Sequence, residues 1–148
     1  MLEVPTDMII STITTEVAAV AAGILYRTAL YRVNANYYPT TLVAEGGLDQ
    51  AATTLGLKTS TIGGNVALRA GIYALLFKCS GVVTMRAVSA GGVTTVLGRV
   101  NAAGYAAITG YTVPFAWVAN TPFPATFPTG LAITNSSGAV ILHALVSV

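Results

Sequence analysis

The sequence predicts a mainly β protein: a β-sandwich, jelly-roll-like or β-barrel domain over residues 35–148, preceded by an N-terminal arm over residues 1–34, helical or extended. Three observations predict it. After Asn34, short apolar and β-branched runs recur roughly every ten positions, each closed by Gly, Ser or Asn, the rhythm of a sandwich or barrel. Before Asn34 the rhythm differs, with Gly23 the one glycine and no proline after Pro5. Charge is also scarce: Asp, Glu, Lys and Arg make up 8% of the 148 residues, against about a quarter in an ordinary soluble domain. A chain so bare is expected to cover much of its surface with other subunits.

In the opening segment, Thr6 to Val33, the apolar positions Ile9, Ile13, Val17, Val20 and Ile24 are spaced by four, four, three and four. That spacing favours a helix, with Thr6 or Asp7 as its cap. The opposing reading is extended, because Ile13-Thr14-Thr15 is a strand-forming triplet. Tyr37-Tyr38-Pro39 then reads as the hinge between arm and β-domain, its rings packed at that junction.

The β-domain is expected to contain strands at Val66–Ala70, Ile72–Cys79, Val82–Val88, Val93–Val100, Tyr105–Thr109, Tyr111–Val118, Leu131–Thr134 and Ala139–Val148. Turns are expected at Gly46-Gly47, Gly63-Gly64, Ser80-Gly81, Gly91-Gly92, Asn101–Gly104 and Ser136–Gly138. In Val82–Val88, Val83, Met85 and Ala87 face one way and Thr84 and Arg86 the other. The last run is apolar on nearly both faces, as suits a strand buried centrally or against a partner. Thr121–Pro128 stands apart: Pro122, Pro124 and Pro128 surround Phe123 and Phe127. Proline fixes φ and removes donors, so this loop is extended and off the sheet. Its rings either fold onto their own core or dock on a neighbour.

Charge is segregated. The acids Glu3, Asp7 and Glu16 come before any base, whereas seven bases between Arg27 and Arg99 meet only Glu45 and Asp49. From Asn101 onward there is no Asp, Glu, Lys or Arg. The acidic start can lie on a basic neighbour. The bases form no dense cluster, so no direct nucleic-acid partner is expected. Mean hydropathy is +0.72, yet Met8–Tyr26 holds Glu16 and four Ser/Thr residues, and no membrane partner is expected. Glu3 and Asp7 stand where a signal peptide needs bases.

The residues for chemistry are few. Cys79 and His143 are each the only residue of their kind, too few for a His/Cys metal cluster; Cys79 reads as a small packed hydrophobe. No G-x-S-x-G elbow or phosphate-binding loop is present. Glu45 and Asp49 read as solvated loop carboxylates beside Gly46-Gly47, and Asn135-Ser136-Ser137 as a turn. His143 reads as a hydrogen-bonded strand residue and Trp117 as core with Phe115 beside it. No catalytic, cofactor-binding or metal site is expected, and no cofactor. The candidate interface residues are Phe123, Phe127, Leu142, His143, Leu145, Ile9, Ile13 and Val17.

Arg69–Val88, two apolar runs about Ser80-Gly81, resembles the paired-strand rhythm of small virion β-domains, and Ile133–Val148 is similar to the closing strand of such a domain. The families are the head-decoration (cement) proteins and fibre knobs of tailed bacteriophages, and the resemblance spans Asn65–Val148. It implies a virion structural protein on the capsid surface: a trimeric capsid decoration or minor capsid protein. Its partners would be copies of itself and the major capsid protein or other virion proteins. The alternatives are a receptor- or glycan-binding knob using Trp117 or Tyr37, and a membrane-associated assembly subunit.

Overall fold

The computed structural model describes residues 2–36, 38–47, 50–86 and 118–129 fully, and the backbone of 109–112, 134–137 and 144–147. Among the described residues the chain is mainly β and has no helix. Its strands are β1 (Leu2–Val4), β2 (Met8–Ala19), β3 (Leu25–Val33), β4 (Pro39–Glu45), β5 (Gln50–Ala51), β6 (Gly56–Leu68), β7 (Gly71–Cys79), β8 (Thr84–Met85), β9 (Thr109–Thr112), β10 (Thr134–Ser137) and β11 (Ala144–Ser147). All pairings are antiparallel. One sheet runs β1-β7-β3-β4, with β5 also on β3; a second runs β11-β2-β6, with β8 also on β2; β9 pairs with β10.

The two larger sheets share one core. Val4, Leu30, Ala44 and Tyr73 of the first meet Ile10, Ile13, Ile62 and Leu68 of the second. Strand periodicity then assigns β3 two faces. Tyr26 and Leu30 belong to clusters that include β2 residues, whereas Ala29 and Tyr31 join a cluster on the opposite face with Ala74, Phe123 and Phe127. A third cluster holds Val17, Tyr26 and Ala52, flanked by Cys79, Val83 and Met85. Thr84 and Arg86 are exposed, which is the alternation expected of that run.

The helical reading of the N-terminus is corrected: Met8–Ala19 is β2 and Leu25–Val33 is β3. A spacing of four fits a period of two as well as one of 3.6, so Ile9, Ile13 and Val17 could not separate the alternatives, and the β-branched run prevailed. Ile13, Thr15 and Val17 alternate inward and are buried. At Ser11 the register slips: Ile10 faces Val66 but Thr12 faces Thr61. This bulge turns Ile10 inward along with Ile13 and leaves Ile9 46% exposed. Gly63-Gly64, expected as a turn, lies in this bulge inside β6, and Gly64 takes φ of +120°, a conformation L side chains rarely adopt.

Leu2–Val4, Met8–Ala19 and Leu25–Val33 are therefore strands of the two sheets rather than an arm. β2 lies between β6 and β11, and β3 between β7 and β4. Tyr38 belongs to the β3–β4 connection, not to a hinge. The Asn34 side-chain carbonyl accepts from the N–H groups of Asn36 (2.9 Å) and Tyr38 (3.0 Å), a local turn of the kind Asn favours.

Further boundaries differ. β6 begins ten residues before the expected Val66, its polar run Lys58–Thr61 pairing with Thr12–Thr15 of β2. β9 runs through Gly110, and β10 occupies Asn135-Ser136-Ser137, where a turn was expected. β1, β4 and β5 were not anticipated. Ile72–Cys79 is β7 but for one residue. The expected run Val93–Val100 lies outside the described residues, as do most of Tyr105–Thr109 and Tyr111–Val118.

The sheets also meet at Gly46. Its N–H donates to the Thr28 carbonyl of the first sheet (3.0 Å), and the next N–H, of Gly47, donates to Thr61 of the second (2.9 Å). A β-carbon at Gly46 would sit 2.8 Å from the Ser60 β-carbon. Gly46→Ala should cost roughly 1–3 kcal/mol by overpacking, and Ser60→Gly should restore part of that loss; paired urea melts check it. Removing residues 1–33 should abolish cooperative unfolding altogether. A truncated chain that keeps a sharp melt with the strand signal in circular dichroism would contradict this fold.

Candidate functional site

The most elaborate side-chain arrangement lies on the face of the first sheet that looks away from β2. Alternation along β3 brings Arg27, Ala29 and Tyr31 to that face, and their partners Lys78, Leu76 and Ala74 come from β7. The segment Thr121–Pro128 lies across them as a strap. It runs against the edge of β4: Leu42 N–H donates to the Ala125 carbonyl (2.9 Å), Phe127 N–H donates to Thr40 (2.7 Å), and Thr41 faces Thr126. Three prolines in eight residues hold this backbone extended and remove donors that a sheet edge could not satisfy.

The strap is anchored by aromatic rings and by its carbonyls. Phe123 and Phe127 are 4% and 1% exposed. Tyr31 stands at the centre, edge-on to both, with centroids 6.2 and 5.6 Å away, and Tyr38 meets Phe127 at 5.4 Å. Each such contact adds about 0.5–1.5 kcal/mol beyond burial. The phenol of Tyr31 donates to the Pro124 carbonyl (2.5 Å) and that of Tyr38 to Pro128 (2.7 Å). Lys78 donates to the Thr121 carbonyl, and its ammonium lies 4.7 Å from the Phe123 ring centre. Of the two alternatives, the rings folding onto their own core is the arrangement seen within one chain, where they fill a groove of its own sheet.

Glu45 is a second correction. Its carboxylate is 14% exposed and accepts from Arg27 (3.1 Å), itself 4% exposed. The same oxygen accepts from the Phe123 N–H at 2.8 Å. A buried guanidinium must be paired, and that requirement was the overlooked signal: in Leu25–Val33 the alternation places Arg27 on the face of Ala29 and Tyr31. Burial pushes the Tyr31 phenol well above its ordinary value, and the nearby Glu45 charge adds to the effect. Burial raises Tyr26 too, partly offset by its 3.2 Å hydrogen bond to Thr15.

Beside the strap opens a cleft of about 450 Å3, lined by Val43, Ala44, Ile62 and Val66 and by Arg27 and Glu45. Those two charges are paired with each other, so the cleft does little to attract a charged ligand. Among the described residues, no three of His, Cys, Asp and Glu gather as a metal site would require. No described helix is long and apolar enough to cross a membrane.

The remaining candidate interface residues are dispersed. Ile13 and Val17 are buried inside the molecule and cannot face a partner, whereas Ile9 is exposed. Leu145 lies opposite Ile13 in the β11–β2 ladder. Leu142, His143, Trp117 and Tyr37 lie outside the described residues. Glu16, from the acidic start, pairs within the chain to Arg86 at 3.1 Å. No family model, curated protein or solved structure matches this chain.

Two expectations test the strap. Glu45→Gln should destabilise by about 3 kcal/mol, since it leaves the Arg27 charge buried without its counter-ion; the chemical midpoint reports it. Tyr31 and Tyr26 hold their protons more tightly folded than unfolded. Their contribution is complete below about pH 10, the ordinary tyrosine value, and is lost as pH rises above it. Tyr31→Phe should cost roughly 1 kcal/mol at pH 7 through the lost hydrogen bond, and its melting temperature should fall less steeply than wild type between pH 9 and pH 11.

Proposed function

We propose that this chain is a non-enzymatic structural subunit that works by binding copies of itself, of the trimeric capsid-decoration or minor-capsid kind its sequence resembles. The observation that carries the reading is the run from Asn101 to Val148 without Asp, Glu, Lys or Arg. A free surface of that composition associates. The placement in a virion rests on the resemblance of Arg69–Val88 and Ile133–Val148, and partners there would be neighbouring subunits and the major capsid protein.

The described surface supports the reading from another direction. Val20, Leu55, Leu57 and Val82 are 55%, 61%, 62% and 90% exposed. The topology gathers them at one end of the second sheet, because Val17 faces Gly56 and Ala19 faces Thr84. Large side chains bared together mark contact surfaces. Two sheets that contribute to one core suit a β-sandwich-type domain, the stiff unit such an assembly needs.

Mass measurement under native conditions tests the proposal: the expected species is a trimer. Leu57→Lys together with Leu55→Lys should lower the oligomer fraction while moving the melting temperature of the subunit by only a degree or two, as exposed sites do. A wild-type chain that remains monomeric at hundreds of micromolar (roughly −5 kcal/mol of association or weaker) removes the assembly reading.

A further inference from the structure

The strap is bound as a peptide would be. Main-chain hydrogen bonds join it to the open edge of β4, its two phenylalanines enter pockets walled by Tyr31, Tyr38 and Ala74, and side chains of the sheet read its backbone. This is strand addition with alternate side chains in pockets, the mode by which sheets capture extended peptides. Every anchoring group is remote in sequence: Glu45 and Phe123 are 78 positions apart, Tyr38 and Pro128 are 90, and Tyr31 and Pro124 are 93. Nothing in the contact set depends on strap and sheet belonging to one polypeptide.

We propose that the outer face of the first sheet, from Tyr38 to Glu45, is a binding groove for the Pro-Phe strap of a second copy of this chain, so that straps are exchanged between subunits. The occupant is identified by what is seated there, the segment Thr121–Pro128 itself. Its prolines reduce the entropy lost on binding. The segment around it carries no charge from Asn101 onward, so no like-charge repulsion opposes a neighbour's strap. Exchange re-forms the same hydrogen bonds and ring contacts, so in an assembly, where local concentration is high, the intramolecular advantage shrinks. The inference rests on the self-assembly reading and supplies it with a contact.

Thr41 and Thr126 make the test direct. Both are exposed, and they face each other between the hydrogen bonds of Leu42 and Phe127. That is a narrow, non-hydrogen-bonded antiparallel pair, with α-carbons about 4.5 Å apart, within disulfide reach. In a Cys79→Ser background, one preparation carries Thr41→Cys and another Thr126→Cys. The two are mixed at high concentration, held below the melting temperature and oxidised mildly. Exchange yields a disulfide-linked heterodimer on a non-reducing gel, several-fold above a control pairing Thr126→Cys with Thr53→Cys, an exposed residue off the strap. The proposal is overturned if the mixture gives no more heterodimer than the control while the double variant Thr41→Cys/Thr126→Cys closes only within single chains. Native mass of the wild type separates the two failures: an oligomer without cross-linking removes strap exchange and leaves the assembly reading, whereas a monomer removes both.

Discussion

β3 is covered on both faces, and most of the architecture answers to that constraint. Tyr26, Arg27, Thr28, Ala29, Leu30 and Tyr31 are consecutive and all buried. A strand exposes alternate residues to opposite sides, so six buried in a row need a layer on each side. The second sheet provides one and the strap the other. Arg27 falls on the strap side, where its charge cannot be left unpaired, and Glu45 at the end of β4 answers it. The same carboxylate then fixes the Phe123 N–H. One polar requirement within β3 thereby sets where the strap begins, and Tyr31 sets where its rings lie.

The two sheets are joined by polar as well as apolar means. Thr15 bonds Tyr26 between the sheets at 3.2 Å, and within the second sheet Thr14 bonds Thr59 across β2 and β6 at 3.0 Å. Hydroxyls so placed satisfy one another, which keeps burial inexpensive. Gly46 adds a backbone link, donating into one sheet while its neighbour donates into the other. The close approach to Ser60 explains why no side chain stands there. The Gly46 link acts at the edge where β4 leaves the first sheet, next to the cleft and the Arg27–Glu45 pair.

The mainly β class was legible in the sequence because turn residues and β-branched runs speak with a short range. Ile72–Cys79 was legible for the same reason, being bounded by Gly71 and by Ser80-Gly81. The N-terminus was misread because a spacing of four belongs to both periods; the bulge at Ser11 that exposes Ile9 depends on β6, more than fifty residues away. Gly63-Gly64 was misread because paired glycines serve bulges as well as turns. Of the candidate site, the Pro-Phe segment was recognisable as a unit, but its occupancy of its own sheet rests on Tyr31 and Tyr38, whose tolerance of two more rings cannot be counted from composition. Glu45 was taken for a loop carboxylate since its two partners, Arg27 and the Phe123 N–H, are distant along the chain.

Charge is spent inside this protein. Of the twelve charged residues, Arg27 and Glu45 pair beneath the strap, Glu16 pairs with Arg86, Lys78 holds Thr121, Asp7 accepts from the Ala70 N–H, and Lys58 reaches Thr54. At least seven thus act as fasteners between segments distant or adjacent in the chain. Exposed pairs of this sort contribute little stability singly, but each engaged group has less to offer the solvent. Beside the exposed Glu3, Asp7, Arg32, Arg69 and Arg86, the described surface carries threonine and serine hydroxyls, alanine methyls and bared residues such as Leu57 and Val82. Hydroxyls are weakly hydrated compared with ions and desolvate at modest cost when a complementary surface supplies hydrogen bonds. A chain built this way meets little electrostatic resistance from its own copies, and among the described residues the bared side chains at the end of the second sheet are what such contact would bury.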